Sequence, residues 1–168
     1  MTTHIDGHRV SIQLTEVEAY GGNSDPASHA SGSRTSRNAP MWGPPGTLYV
    51  YLSYGIHWCA NIVVGRENEP GAVLIRGGVV TEGRGTVERR RGRPVHLADG
   101  PGKIGQALGL NGSDSGTTVW DGPLALRGPF GSVESWYSTV RIGISKAIDV
   151  PWRFVVEDSS ALPSSTLP

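Results

Sequence analysis

Between residues 9 and 20 apolar and polar positions alternate: Val10, Ile12 and Leu14 are interleaved with Ser11, Gln13 and Thr15. That two-residue period predicts a half-buried β-strand. Extending the alternation puts Glu16, Glu18 and Tyr20 on the face of the apolar row, so two carboxylates follow positions expected in the core. Same-face neighbours on a strand lie about 6.6 Å apart, close enough for both acids to share one pocket. Two arrangements fit. Either the sheet rim turns to solvent there, or the strand delivers ionisable groups into a cleft.

Residues 21–46 show no period and are rich in Gly, Pro and Ser, with Arg34 and Arg37 among them. Irregular runs of that length are uncommon inside a small domain and tend to be functional or mobile. Residues 47–64 are dense in aromatic and β-branched side chains, including Tyr49, Tyr51, Tyr54 and Trp58, and predict two strands bent at Gly55. A turn over 66–71 and a short strand over 72–76, ending at Arg76, complete an antiparallel meander. The arginines and glycines of 84–93 predict a solvated loop rather than a helix. Gly100-Pro101-Gly102-Lys103 opens an apolar run at helical spacing, Ile104, Ala107 and Leu108. Its free N–H groups would face outward, ready for a phosphate. Short strands are expected over 118–126, 137–145 and 152–157. The Ser/Pro-rich tail, 159–168, is expected to be disordered, which leaves one domain over 1–158.

Composition narrows the classes further. The chain has 168 residues, and its 24 glycines and 12 prolines argue for many turns and few long helices. Fifteen basic residues balance fifteen acidic ones, so contact with a polyanion must rely on local charge. Thirteen of the fifteen cations are arginine, whose planar fork grips phosphate through paired hydrogen bonds. A lone cysteine, Cys59, excludes an intramolecular disulfide and a Cys-rich zinc site, and is read as packing. No apolar run approaches the roughly 20 residues of a membrane span, and the first residues lack a secretory pattern. The expectation is a soluble, monomeric, intracellular protein without a membrane partner, in the cytoplasm or nucleoid if the host is a bacterium. No Walker or dinucleotide fingerprint is present. His57 and Cys59 lack further ligands at metal spacing, while His4 and His8 fall in a terminal segment expected to be flexible. No metal or organic cofactor is expected.

What remains is Glu18 beside Tyr20, followed by His29, the block Tyr49–Tyr51–Tyr54, and Arg76. The motif Thr15-Glu16-Val17-Glu18-Ala19-Tyr20, with Asp25 to His29, resembles the opening of the alkyladenine (3-methyladenine) DNA glycosylase family. So do Arg34-Thr-Ser-Arg37-Asn38, Pro45-Gly46-Thr47-Leu48-Tyr49-Val50-Tyr51, Tyr54-Gly55 through Asn61, and Val73-Leu74-Ile75-Arg76. Gly100-Pro101-Gly102-Lys103-Ile104, Arg141-Ile142-Gly143-Ile144 and Pro151-Trp152-Arg153-Phe154 follow in family order. The resemblance implies an α+β domain with a curved, mainly antiparallel sheet and flanking helices. It also implies a monofunctional glycosylase that excises alkylated or deaminated purines from double-stranded DNA and initiates base excision repair. Glu18 resembles the catalytic acid that activates water, with Arg76 beside it and the main-chain carbonyl of Ile142 holding the water. Burial should disfavour the charge on Glu18 and Arg76 should favour it. By the same resemblance Tyr20, Tyr51 and His29 wall the base pocket, Asn61 rejects normal guanine, and Tyr54 plugs the gap in the stack. Arg34, Arg37, Lys103 and Arg141 are candidate contacts to the DNA backbone. Glu16 is read as structural. No lysine stands where it could attack the sugar, so no lyase step is expected.

Three other readings stay open on the residues themselves. A non-catalytic protein recognising damaged DNA could use the same scaffold, although an acid near phosphates serves a pure binder poorly. A sugar hydrolase could pair Glu16 with Glu18, but such pairs act from opposite sides of the scissile bond. An RNA-binding module rests on analogy of fold alone.

Overall fold

The computed structural model describes residues 1–128 and 135–157; the tail expected over 159–168 lies outside them. Among the described residues the chain forms β1 (Thr2–Ile5), β2 (His8–Tyr20), β3 (Leu48–Ser53), β4 (His57–Val63) and β5 (Ala72–Glu82). It continues through α1 (Arg84–Arg91), α2 (Pro101–Leu108), β6 (Leu124–Ala125), β7 (Trp136–Thr139) and β8 (Arg153–Val156). All strand pairings are antiparallel, in the order β3-β4-β5-β2-β1-β6, with β8 paired to β2 and β7 beyond it. The fold is α+β, a curled antiparallel sheet carrying two helices. The central strand is β2. β5 follows one of its edges from Ser11 to Tyr20, so β1 and β8 share the other, at His8–Ser11 and at Glu16–Glu18 respectively.

The two faces of the sheet do different jobs. On one, Val10, Ile12, Leu48, Val50, Ile62 and Ile75 meet Ile104, Ala107 and Leu108 of α2 and Val87 of α1. On the other, Tyr49 packs with Ala30, Met41, Trp42 and Ala72, and Tyr51 lies against them. Strand β3 therefore sends Leu48 and Val50 to the helices and Tyr49 and Tyr51 to the opposite side, as the period of two requires. α2 lies so close to β4 that a Cβ on Gly105 would stand 2.0 Å from the Trp58 carbonyl oxygen. Only glycine permits that approach.

Four expectations are corrected. The terminal segment with His4 is strand β1, paired on both sides, and the Met1 amine donates to the Ile12 carbonyl at 2.8 Å. The strand ending at Arg76 runs on to Glu82. Residues 84–91 are a helix: of the glycines that argued against one, Gly85 sits in its first turn and Gly92 ends it in the left-handed region. Val87 anchors it in the core, and Arg90 donates to the Ala107 and Ile5 carbonyls. The late strands are shorter than the pattern suggested, Leu124–Ala125, Trp136–Thr139 and Arg153–Val156. No helix of the described residues is long and apolar enough to cross a membrane.

Candidate active site

The simple alternation on β2 fails at one place, and the site depends on it. The pairing with β5 shifts register between Leu14 and Glu16 and again between Glu16 and Val17. Such irregularities re-aim side chains. Val17 then joins Leu14 against the helix-side core. Glu16 and Glu18, both paired with Arg76, face the opposite side instead of continuing the apolar row. Of the two arrangements open from sequence, the strand delivers its acids inward: Glu18 is 0% exposed.

A buried carboxylate requires partners, and Glu18 has three. The Ile142 amide donates to Oε1 at 2.8 Å, the Tyr20 hydroxyl donates to Oε2 at 2.9 Å, and Arg76 Nη1 lies 3.3 Å from Oε2. Burial and the adjoining Glu18 carboxylate hold the Tyr20 phenol far above its ordinary pKa, which keeps it a donor. Arg76 also donates from Nε to Glu16 Oε1 at 2.8 Å, so one guanidinium spans both acids. Ile142 contacts the acid through its N–H.

The segment that brings Ile142 in is irregular and held residue by residue. Arg153 Nε donates to the Val140 carbonyl at 3.1 Å. Arg141 forms a two-pronged pair with Asp25, at 2.5 and 3.0 Å, and donates to the Ala19 carbonyl. Its guanidinium also lies 4.7 Å from the Tyr20 ring centroid and 5.2 Å from that of Trp152. Arg141 was expected on a DNA phosphate. With its side chain at 0% exposure, sealed on Asp25, it braces the back of Tyr20 instead. Burial opposes the charge on Asp25, but bonds from Arg141 and from the Ala27 and Gly21 amides outweigh it and hold its carboxyl below the ordinary range.

Tyr20, His29, Tyr51 and Asn61 line one cavity of about 340 Å³, together with Met41 and Tyr49. Tyr51 stacks on Tyr49 with centroids 5.4 Å apart and planes at 23°. The His29 ring stands edge-on to Tyr51 at 4.6 Å, with Nδ1 2.9 Å from the Tyr49 hydroxyl. Burial, aided by Arg37, pushes His29 below its ordinary pKa and favours the neutral ring. Burial raises the Tyr51 phenol. Asn61 uses its amide nitrogen on the Tyr49 carbonyl at 3.1 Å. Only the NH₂ can donate, so this bond fixes which way the amide faces and leaves Oδ1 to the cavity.

Sequence reasoning missed two parts of this wall. Tyr49 was noted only as part of an aromatic block. Lys146 was given no place, yet it lines the cavity beside Ile144 and Ser145 and is itself exposed. The signal was available: Ser145-Lys146 directly follows the block Arg141-Ile142-Gly143-Ile144.

Outside the cavity, Tyr54 stands at the tip of the β3–β4 hairpin, 90% exposed. Tyr54 and Gly55 have φ of 50° and 73°, and the Ile56 amide closes the turn on the Ser53 carbonyl. A left-handed φ is uncommon for a bulky residue. Arg34 and Arg37 are exposed; Arg37 donates to the Leu52 carbonyl of β3 at 3.3 Å. Lys103 at the start of α2 is paired to Asp99 at 3.0 Å, and Asp99 also bonds His96.

Buried Glu18 is thus bonded to Tyr20, and Tyr20 lines an aromatic-walled cavity. Comparison with known proteins names the class. A family model for methylpurine-DNA glycosylases matches residues 1–160. Relatives bearing the provisional name 3-methyladenine DNA glycosylase include one from Rhodococcus jostii, 42% identical over 161 residues, spanning 91% of this chain and 72% of its own. One from Frankia casuarinae is 47% identical over 159 residues, spanning 86% and 75% of the two chains. A third, from Cutibacterium acnes, is 46% identical over 154 residues, spanning 86% and 81%. This chain belongs to the methylpurine-DNA glycosylase family.

Proposed function

We propose that the chain is a monofunctional DNA glycosylase that rotates alkylated or deaminated purines out of duplex DNA and hydrolyses their N-glycosidic bond. The observation that carries this reading is Glu18, fully buried at an aromatic-walled cavity with its carboxylate fixed by the Ile142 amide, the Tyr20 hydroxyl and Arg76. Tyr20 and Arg76 meet at Oε2, while Oε1 accepts one bond and keeps lone-pair capacity for a water. As the base departs, the sugar gains oxocarbenium character. A fixed carboxylate stabilises that charge and takes the proton of the attacking water.

The walls suit the substrate. Aromatic faces hold a planar base without demanding one hydrogen-bond pattern, at about 1–3 kcal/mol per stacked base. A neutral His29 adds no repulsion toward an alkylated, cationic purine. The Asn61 amide crowds the exocyclic amino group of normal guanine, which discriminates by a clash rather than by an extra attraction. Tyr54 wedges into the gap left by the rotated nucleotide. Arg34 and Arg37 form the local basic strip, and Lys103 joins it only by exchanging Asp99 for phosphate. Nucleophilic lysines are activated by a desolvating pocket or a neighbouring cation; Lys146 is exposed, and hydrolysis by water remains the route.

The test is incubation with duplexes carrying hypoxanthine or a methylated purine, followed by chromatography for free base. Free base with an intact strand supports the reading. Tight binding to damaged duplex with no base released from any lesion marks a non-catalytic binder and refutes it.

A further inference from the structure

The charged groups around Glu18 close into a ring that the hydrolytic step itself does not require. From Glu18, Arg76 Nη1 leads back through Nε to Glu16 Oε1 at 2.8 Å. The same Oε1 accepts from Arg153 Nη1 at 3.1 Å. Arg153 Nε then holds the Val140 carbonyl at 3.1 Å, two residues before Ile142, whose amide returns to Glu18 at 2.8 Å. The ring joins four separate parts of the chain: β2 supplies both acids, β5 supplies Arg76, β8 supplies Arg153, and the segment 140–142 supplies the Val140 carbonyl and the Ile142 amide. β8 itself is paired to β2 across Glu16–Glu18. Glu16, Arg76 and Arg153 are each less than a quarter exposed in their side chains, so solvent screens these contacts incompletely.

We infer that Glu16 is a positioning residue: one of its oxygens fixes two arginines, and through them the geometry of the Glu18 carboxylate and of the segment over it. Its action is indirect on both sides. Arg76, held at Nε, presents Nη1 to Glu18, and Arg153, held at Nη1, presents Nε to Val140. A site whose acid must be oriented within a fraction of an ångström loses rate steeply when such support goes, up to about a hundredfold for a 1 Å misplacement. Because both guanidiniums converge on Oε1, a carbonyl oxygen at that position can still accept both bonds. Charge is therefore the smaller part of the effect and position the larger.

The proposal rests on the glycosylase reading for its kinetic arm and has a second arm that does not. In single-turnover base release, Glu16→Ala is expected to lower the rate by about tenfold or more. Affinity for a duplex carrying a tetrahydrofuran abasic-site analogue should be unchanged. Glu16→Gln should recover most of the rate. Arg153→Met provides a second variant should Glu16→Ala unfold, and the pair Glu16→Ala/Arg153→Met should be no slower than the slower single change, as for members of one unit. Independent of activity, amide hydrogen exchange at Ile142 should quicken in Glu16→Ala and in Arg153→Met. Losses that multiply in the double variant, or unchanged rate and unchanged Ile142 exchange, overturn the proposal. If the wild type released no base, the glycosylase reading would fall, and the Ile142 exchange alone would decide the positioning role.

Discussion

Asp25→Ala is the most demanding test of how the site is held. Asp25 and Arg141 have side chains at 1% and 0% exposure and meet through two hydrogen bonds. Removing the acid strands a guanidinium that keeps only the Ala19 carbonyl and the faces of Tyr20 and Trp152. Breaking a buried pair from one side costs about 3–5 kcal/mol, because the remaining charge is uncompensated. That is a large share of the roughly 5–15 kcal/mol that stabilises a domain. At about 2–4 °C per kcal/mol for a chain of this size, Tm should fall by roughly 6–20 °C. Asp25→Ala/Arg141→Met should be more stable than Asp25→Ala alone, since no orphan charge remains.

The pH dependence has a defined sign. The folded-state pKa of Asp25 lies below its ordinary 3.8, so its contribution is complete above that value and is lost as pH falls through the folded value. The stability gap between wild type and Asp25→Ala should therefore narrow in strong acid. Urea denaturation across pH measures both effects. A loss below about 1 kcal/mol at neutral pH, the range of exposed pairs, or a gap that widens on acidification would refute the reasoning.

Other changes probe separate parts of the molecule. Gly105→Ala gains helix propensity of about 1 kcal/mol but drives a methyl into the Trp58 carbonyl. Thermal melts should show a net loss of roughly 1–3 kcal/mol. Tyr54→Ala removes a side chain that is almost wholly in solvent, so Tm should hold. Base release from duplex should fall by about tenfold or more, because rotating a nucleotide out costs a few kcal/mol, while release from single strands should change little. Borohydride added during turnover should trap no covalent adduct at Lys146. A trapped, Lys146-dependent complex would show a lyase step.

The strands of the meander were legible because residues 47–64 concentrate aromatic and β-branched side chains and 72–76 form a short apolar run. The shift at Leu14–Val17 was not, because a bulge leaves every residue type in place and changes only its direction. For the same reason Glu18 could be named from its motif, but the side of the sheet it occupies could not. α1 was hidden by composition: Gly92 counts against a helix until its left-handed conformation shows that it terminates one, and Gly85 is accommodated in the first turn. The misplacement of Arg141 has another origin. An arginine in a motif looks like any surface cation until a carboxylate 116 positions earlier proves to be its partner. Lys146 lies on irregular backbone without strand or helix period, and only its place after the Arg141–Ile144 block could have pointed to it.

The direct test of the account is base release by Glu18→Gln beside the wild type, with binding to the same lesion-bearing duplex measured in parallel. Glutamine keeps the shape of the side chain and removes the charge and the proton acceptor. The account predicts free purine from the wild type, none above background from Glu18→Gln, and comparable binding by both. Equal rates of purine release from the two proteins would contradict it.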